Sequence, residues 1–290
     1  MARHLLGQIR KAIRELNPAL VRRLAETPLR IRVSAPSEEA YGEIADFLVP
    51  GKVSHLRMEE ISRTVYRDGD GTPEDQGDLF ISHVEMPQSD SFLFDPRRPD
   101  AFVRRVLEER DELGLPLARL FHPFRRPVTG KIIHTVATEN TVFSLTTALP
   151  GVLPGVVSVA LGVTEAASDT VVLTVNQIRM AFLLAAASDL PAGYHEQAPE
   201  IGSLVAGAFG WRALARELVG KIPFGGGLIP KAAVAYAGTY VVGQSLERLY
   251  RVGYGLSREE RRQAYRDALE RGKRVACAVL DALRTRSQSG

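Results

Sequence analysis

The stretch ALPGVLPGVVSVALGVT, Ala148 to Thr164, decides how this chain is read. It closes a run of 25 residues, from Asn140, that holds no Asp, Glu, Lys, Arg or His, yet Pro150 and Pro154 interrupt it. About 20 mostly apolar residues are enough to cross roughly 30 Å of hydrocarbon. Each proline, however, removes a backbone donor and clashes with the preceding turn, so one continuous helix is not expected. The expectation is two helices meeting at an apolar tip that holds Val152, Leu153 and Pro154. Turns are normally polar, so an apolar one is either buried in protein or dips into a membrane.

A second such tip lies in IPFGGGLIP, where Pro223 and Pro230 bracket three glycines. Phe224, Gly225, Gly226 and Leu228 join Val152, Leu153 and Pro154 as candidate membrane-contact residues. Three apolar segments surround the tips: Thr141 to Val163, Val171 to Ser188, and Ile222 to Gly243. The second contains Asn176, Gln177 and Arg179, costly in lipid unless they face protein or water. The third contains Lys231, which with Arg248 could mark the two rims of an embedded helix by snorkelling. Ala235, Thr239 and Gly243 repeat every four positions along it, a spacing that lets another helix come close. Between Lys131 and Tyr250 there are 15 charges in 120 residues, about half the density of the whole chain, so the apolar character belongs to the centre and not to the average.

Outside that centre the pattern changes. LRIRVSA, Leu29 to Ala35, alternates as a half-buried strand does, and Ser37 caps a helix opened by Glu38 and Glu39. Further strands are expected at Ile61 to Tyr66 and Asp78 to Val84, and a helix from Asp100 to Glu112. This order predicts a small α/β domain with a partly parallel sheet. From Pro116 onward helices are expected near 116–123, 127–148, 155–188 with room for a break, 200–221, 228–252 and 258–285. Ser257 and Glu260 form a capping box for the last, with an apolar stripe through Ala264, Ala268, Val275, Val279 and Leu283. The fold class is therefore α+β: basic amphipathic helices at 1–28, an α/β domain at 29–115, a helical apolar domain at 116–285 and a disordered tail at 286–290.

Leu6, Ile9, Ile13, Leu16, Leu20 and Leu24 form one helical stripe at the N-terminus, split at Pro18 with Asn17 capping the second piece. Through Arg30 the chain has seven Lys or Arg against two Glu. That helix either docks on its own protein with a basic face in water or lies on anionic lipid. It has no continuous apolar run and no small-residue cleavage site, unlike a secretory signal. The single cysteine, Cys277, excludes an internal disulfide framework and in VACAVL reads as a small buried hydrophobe.

Chemistry finds no motif. A phosphate loop needs G-x-x-x-x-G-K-[ST] so that glycine backbone wraps the phosphates. Gly51-Lys52 has Asp46 in place of the first glycine and Val53 after it, and Gly130-Lys131 is followed by Ile132. The loop from Asp68 to Asp78 begins like a calcium loop but places Pro73 and Leu79 where glycine and glutamate are required. Six histidines show no H-x-x-x-H pair, and no G-x-S-x-G elbow occurs. A net charge of +3 is too mild to argue for nucleic acid. No catalytic residue, metal, cofactor or small-molecule substrate is expected.

VNQIRMAFLLAA at Val175 to Ala186 and FGWRALARELVGKIPFGGGLIPKAAVAYAGTYVVG at Phe209 to Gly243 resemble a bacterial helical domain of unknown function of the YcjF type. The resemblance covers about residues 125–270, and its more specific phrases are Arg212 to Pro223 and Ala235 to Tyr240. It implies a membrane-associated helical module, often found with Era-like GTPase domains. Residues 29–115 then stand where a GTPase domain would sit, as a reduced relative without a phosphate loop or as an unrelated domain. Arg212, Arg216 and Glu217 form a polar cluster in this region, read either as fold-stabilising pairs or as a lipid-phosphate site. The function expected is a non-enzymatic membrane adaptor or scaffold on the cytoplasmic side of the cell membrane, with a small GTPase or a second copy as partner. The alternatives are a soluble cytoplasmic regulatory protein whose apolar centre is a core or oligomer interface, and a degenerate GTPase.

Overall fold

The computed structural model describes residues 2–51, 53–69, 77–147, 169–207 and 227–288. The chain divides into two compact units: Arg22–Thr129 with Ala186–Asp189, and Met1–Val21 with Gly130–Ala185 and Leu190–Gly290. Both expected classes of structure are present, a helical majority and one small sheet.

The first unit holds the sheet. Its strands are β1 (Ile31–Ser34), β2 (Val65–Arg67), β3 (Leu79–His83) and β4 (Phe92–Phe94), in the order β2-β1-β3-β4. Every described pairing is parallel, where the sequence predicted only a partly parallel sheet. The registers Val33↔Ile81 and Ile81↔Phe92 put Ile31, Val33, Leu79, Ile81, Phe92 and Phe94 on one face. Helices α3 (Glu38–Leu48) and α5 (Pro99–Glu109) bring Phe47 and Phe102 to Phe94, with ring centroids 5.0 and 5.5 Å away. On the other face the Arg32 guanidinium lies 3.8 Å from the Phe80 ring centroid. Ser37 accepts from the Ala40 N–H and caps α3 as read from the sequence.

Two elements here differ from expectation. The segment beginning at Ile61 is not a strand at its start: Ser54 caps α4 (His55–Ser62), and the strand begins only at Val65. α4 buries Ile61 alone and leaves Leu56 and Met58 exposed, so it has no apolar period to read. β4, three residues between turns, is too short for alternation to register. Arg57 of α4 and Arg119 of α6 (Gly114–Leu120) each pair with both Glu60 and Asp189, and Arg119 Nε also donates to the Ala25 carbonyl at the end of α2 (Pro18–Ala25). α6 and the first turn of α7 (His122–Thr146) bury Leu117, Phe121 and Phe124 within this unit, which therefore extends past the expected boundary at 115.

The second unit is helical: α1 (Ala2–Glu15), most of α7, α8 (Asp169–Ala187), α9 (198–207), α10 (Leu228–Val252) and α11 (Arg258–Gln288). α10 matches its sequence bounds because Gly253, at φ 86°, adopts the left-handed conformation that ends a helix. Asn17 Oδ1 accepts from the Leu20 N–H, as expected for the cap of α2. The single N-terminal stripe is not continuous, however. Ile9 and Ala12 are buried in α1, but in α2 the buried residues are Pro18, Val21 and Ala25, while Leu20 and Leu24 are exposed. The break at Asn17-Pro18 resets the helical phase.

Phase also explains two errors in α11. Its buried line runs through Tyr265, Ala268, Gly272, Ala276 and Leu280, about one residue off the predicted stripe. Cys277, expected to be buried, is exposed, because its neighbour Ala276 occupies the inward position. The helix also continues to Gln288, past the predicted end at 285, since RTRSQ contains no breaker.

The capping box is formed at the start of α11. Glu260 accepts from the Ser257 N–H at 2.8 Å, and Ser257 Oγ accepts from the Glu260 N–H at 3.2 Å. The Arg248 guanidinium and then the Ser257 N–H hold the Glu260 carboxyl down at about 2. A folded value below the ordinary 4.5 contributes stability above 4.5 that disappears as pH falls through about 2. Urea titrations at a series of pH values should therefore show wild type and Glu260→Gln converging over that window. A gap that persists at the acid end would show that Glu260 acts otherwise than through its charge.

Candidate functional site

The helical unit brings the end of α7 and the starts of α8 and α10 to one end. Asn140 of α7 meets Asn176 of α8 and Thr239 of α10, while Leu145, one residue from the end of α7, clusters with Ala232 of α10 and Ala276 of α11. α7 is thus antiparallel to α8 and α10, and α11 antiparallel to α10. The end of α7, the starts of α8 and α10 and the last turns of α11 consequently share one end of this unit. The chain leaves α7 at Thr147 to enter residues 148–168, and it begins α10 after residues 208–226. These are the two Pro/Gly-rich segments of the sequence.

α1 points its N-terminus to the same end. Ile9 and Ala12 pack on Val171 and Val175 near the start of α8, and the Tyr194 hydroxyl, beside Phe182, donates to the Ile13 and Leu16 carbonyls. Lys11 on α1 and Lys231 in the first turn of α10 therefore belong by position to this end, against Asp281 late in α11. Basic residues outnumber acidic ones there.

Of the candidate contact residues only Leu228 is described. It is half-buried and packs with Ile229 and Val279 against Leu145, Ala232 and Ala276. Val152, Leu153, Pro154, Phe224, Gly225 and Gly226 lie outside the described residues, as do Arg212, Arg216 and Glu217.

Behind this end runs a polar seam. Asn176 Nδ2 donates to Asn140 Oδ1 at 2.7 Å, Asn140 Nδ2 donates to Thr239 Oγ1 at 2.8 Å, and Gln177 Nε2 reaches the same Thr239 oxygen at 3.4 Å. Beside it Arg179 pairs with Glu139. The polar residues flagged inside the second apolar segment thus face protein. The window Thr170–Ala187, with mean hydropathy 1.5, is apolar enough to cross a membrane, and 78% of it is buried. Arg248 does not stand as a free rim residue: it pairs with Glu260 and lies 4.9 Å from the Tyr254 ring centroid.

Sequence reasoning missed the seam's geometry and Gly272. In α11 a Cβ at Gly272 would meet the Ala233 carbonyl oxygen at 2.8 Å. Its only signal is a glycine at mid-helix, which costs about 1 kcal/mol against alanine and so implies a packing reason.

The carboxyl end of the parallel sheet is the usual ligand position in α/β proteins. There Ser37 already occupies an N–H of α3, and Glu38 and Glu39 place negative charge in its first turn. Buried His83 accepts the Glu85 N–H on Nδ1 at 3.3 Å, which leaves the proton on Nε2 to donate to Glu43 at 3.0 Å. Phosphate would meet carboxylates, not free amides. Among the described residues no group of three His, Cys, Asp or Glu is placed to hold a metal.

No family model matches the chain, and no curated protein and no solved structure is significantly similar to it.

Proposed function

We propose that the chain is a non-enzymatic membrane adaptor on the cytoplasmic face of the cell membrane, whose helical unit meets the bilayer at the end where α7 gives way to residues 148–168 and α8 and α10 begin. One observation carries the reading: elements 145–147 and 169–171, which flank the charge-poor segment 148–168, and 228–232, which follows the second Pro/Gly segment, converge at one end of the unit, where basic positions outnumber acidic ones. An apolar insertion ringed by Lys and Arg is the chemistry of attachment to anionic lipid, with about 1 kcal/mol per basic residue near the surface. The N-terminal α/β domain and C-terminal helical domain read from the sequence supply a division of labour: the former holds a partner, the latter the membrane. The YcjF-type resemblance names a small GTPase encoded elsewhere as that partner.

The burial of α8 favours a second reading, a soluble regulatory protein whose apolar centre is its interior or an oligomer interface. Flotation on phosphatidylcholine vesicles with and without phosphatidylglycerol separates the two. The full chain should float with the anionic vesicles, and Leu153→Asp combined with Phe224→Asp should leave it at the bottom of the gradient. Wild-type protein that stays at the bottom with both vesicles sinks the adaptor reading.

A further inference from the structure

The helical unit contains a cavity of about 440 Å³ between α8, α9, α10 and α11. That is within the range of roughly 300–1,000 Å³ typical of small-molecule sites. Leu204, Val241, Leu246 and Leu249 supply apolar wall, and Gln177 and Glu200 supply polar groups. Glu200 Oε2 is buried and has no hydrogen-bond partner among the described residues. A carboxylate at neutral pH is acceptor-only, so the missing complement is a donor, and a positive one is favoured most. Leaving such a group buried and unmatched is costly, and native structures rarely tolerate it without a reason.

The protein's own cations do not fill the role. Arg261 lines the cavity, but its Nε donates to the Ser257 carbonyl at 3.4 Å, and among the described residues no cation pairs with Glu200. A second polar group in the neighbourhood is also unmatched. The Tyr250 hydroxyl, one residue beyond Leu249, is buried without a partner, and burial together with the Glu200 charge pushes its ionisation far up. That phenol stays neutral and can both donate and accept.

We infer that this cavity binds an organic ammonium ion, with Glu200 as its counter-ion and the α10 side chains as the sleeve for its apolar body. The ammonium donates to Glu200 Oε2, and Ser203 and Ser245 oxygens and the Gln177 amide carbonyl are further acceptors along the lining. The site is distinct from the proposed membrane contacts: its lining is Gln177 of α8 with residues of α9, the second half of α10 and the start of α11, and it includes neither Leu145 nor Leu228.

The test is titration calorimetry of the full chain in vesicle-free buffer with 2-phenylethylammonium, and with 2-phenylethanol as the neutral counterpart. A charge-assisted bond implies that the ammonium binds about tenfold or more tightly than the alcohol, and that Glu200→Gln removes that advantage. Val242→Trp, which fills the cavity while keeping Glu200, should abolish binding of both probes and decides the matter should Glu200→Gln fail to fold. Equal affinities for the two probes, binding unchanged in either variant, or no heat at millimolar probe would overturn the inference. None of these results alters vesicle flotation, so the failure of one reading is distinguishable from the failure of the other.

Discussion

Gly272→Val is expected to destabilise the helical unit by about 3 kcal/mol or more, at the upper end of what overpacking costs. A Cβ at this position would lie 2.8 Å from the Ala233 carbonyl oxygen, 3.0 Å from the Tyr236 Cβ and 3.1 Å from the Ala233 Cα. Two of these three atoms are backbone, so no rotamer change relieves the clash and the helices α10 and α11 must separate. Separation strips contacts from Ala237, Val241 and Ala268 on one side and from Leu145 and Ala276 on the other. Gly272→Ala is the finer test, because alanine gains about 1 kcal/mol of helix propensity that offsets part of the strain. Gly243→Ala is the control. Its Cβ would approach Ile133 Cγ1 and Cγ2 at 2.7 and 2.8 Å and the Met180 sulfur at 3.0 Å, with no backbone atom among them, so its cost should be smaller. Urea midpoints with unchanged m values would give the order wild type, Gly243→Ala, Gly272→Ala, Gly272→Val. A Gly272→Ala protein as stable as wild type would mean that the two backbones do not approach this closely.

Features encoded within one turn were legible in the sequence, and features encoded by phase or by distant partners were not. Ser37, Asn17 and the Ser257–Glu260 box act over three residues and form as read. α10 was bounded correctly because Gly253 is a local stop signal. Cys277 and the α2 leucines were misplaced because an apolar run of four or five residues fixes a helix but not its rotation to within one position. α4 carries no stripe, and β4 no alternation. At the candidate site Asn176 and Gln177 stood out as polar residues in an apolar segment. Their partners Asn140 and Thr239 are 36 and 62 residues from them in sequence, so only the fold identifies them. The tip residues were chosen for being apolar where turns are polar. What the fold adds is that the end of α7 and the starts of α8 and α10, three of the four described ends that flank the tips, gather at one end.

Asn140→Leu should cost about 2–4 kcal/mol, and more than either Asn176→Leu or Thr239→Val. Asn140 is the middle of the seam, wholly buried, accepting from Asn176 and donating to Thr239. Its replacement strands the Asn176 amide and costs Thr239 its shortest hydrogen bond, in a place that water does not reach. Each buried orphan costs about 1–3 kcal/mol, whereas replacing every member by apolar groups of similar shape is close to neutral. The triple variant Asn140→Leu, Asn176→Leu, Thr239→Val is therefore expected to recover most of the stability lost in Asn140→Leu. A double-mutant cycle on Asn140 and Asn176 should then give a coupling of about 1–2 kcal/mol, since the second substitution removes a donor the first has already orphaned. Additive costs would show that the two amides do not share a bond. The triple variant also separates stability from specificity. If it is stable and monodisperse yet no longer floats on anionic vesicles, the seam's work is to hold α7, α8 and α10 in the register that brings Leu145 and Leu228 to one end. If it floats as wild type does, the register is set by packing at Gly243 and Gly272, and the seam contributes only the satisfaction of its own polar groups.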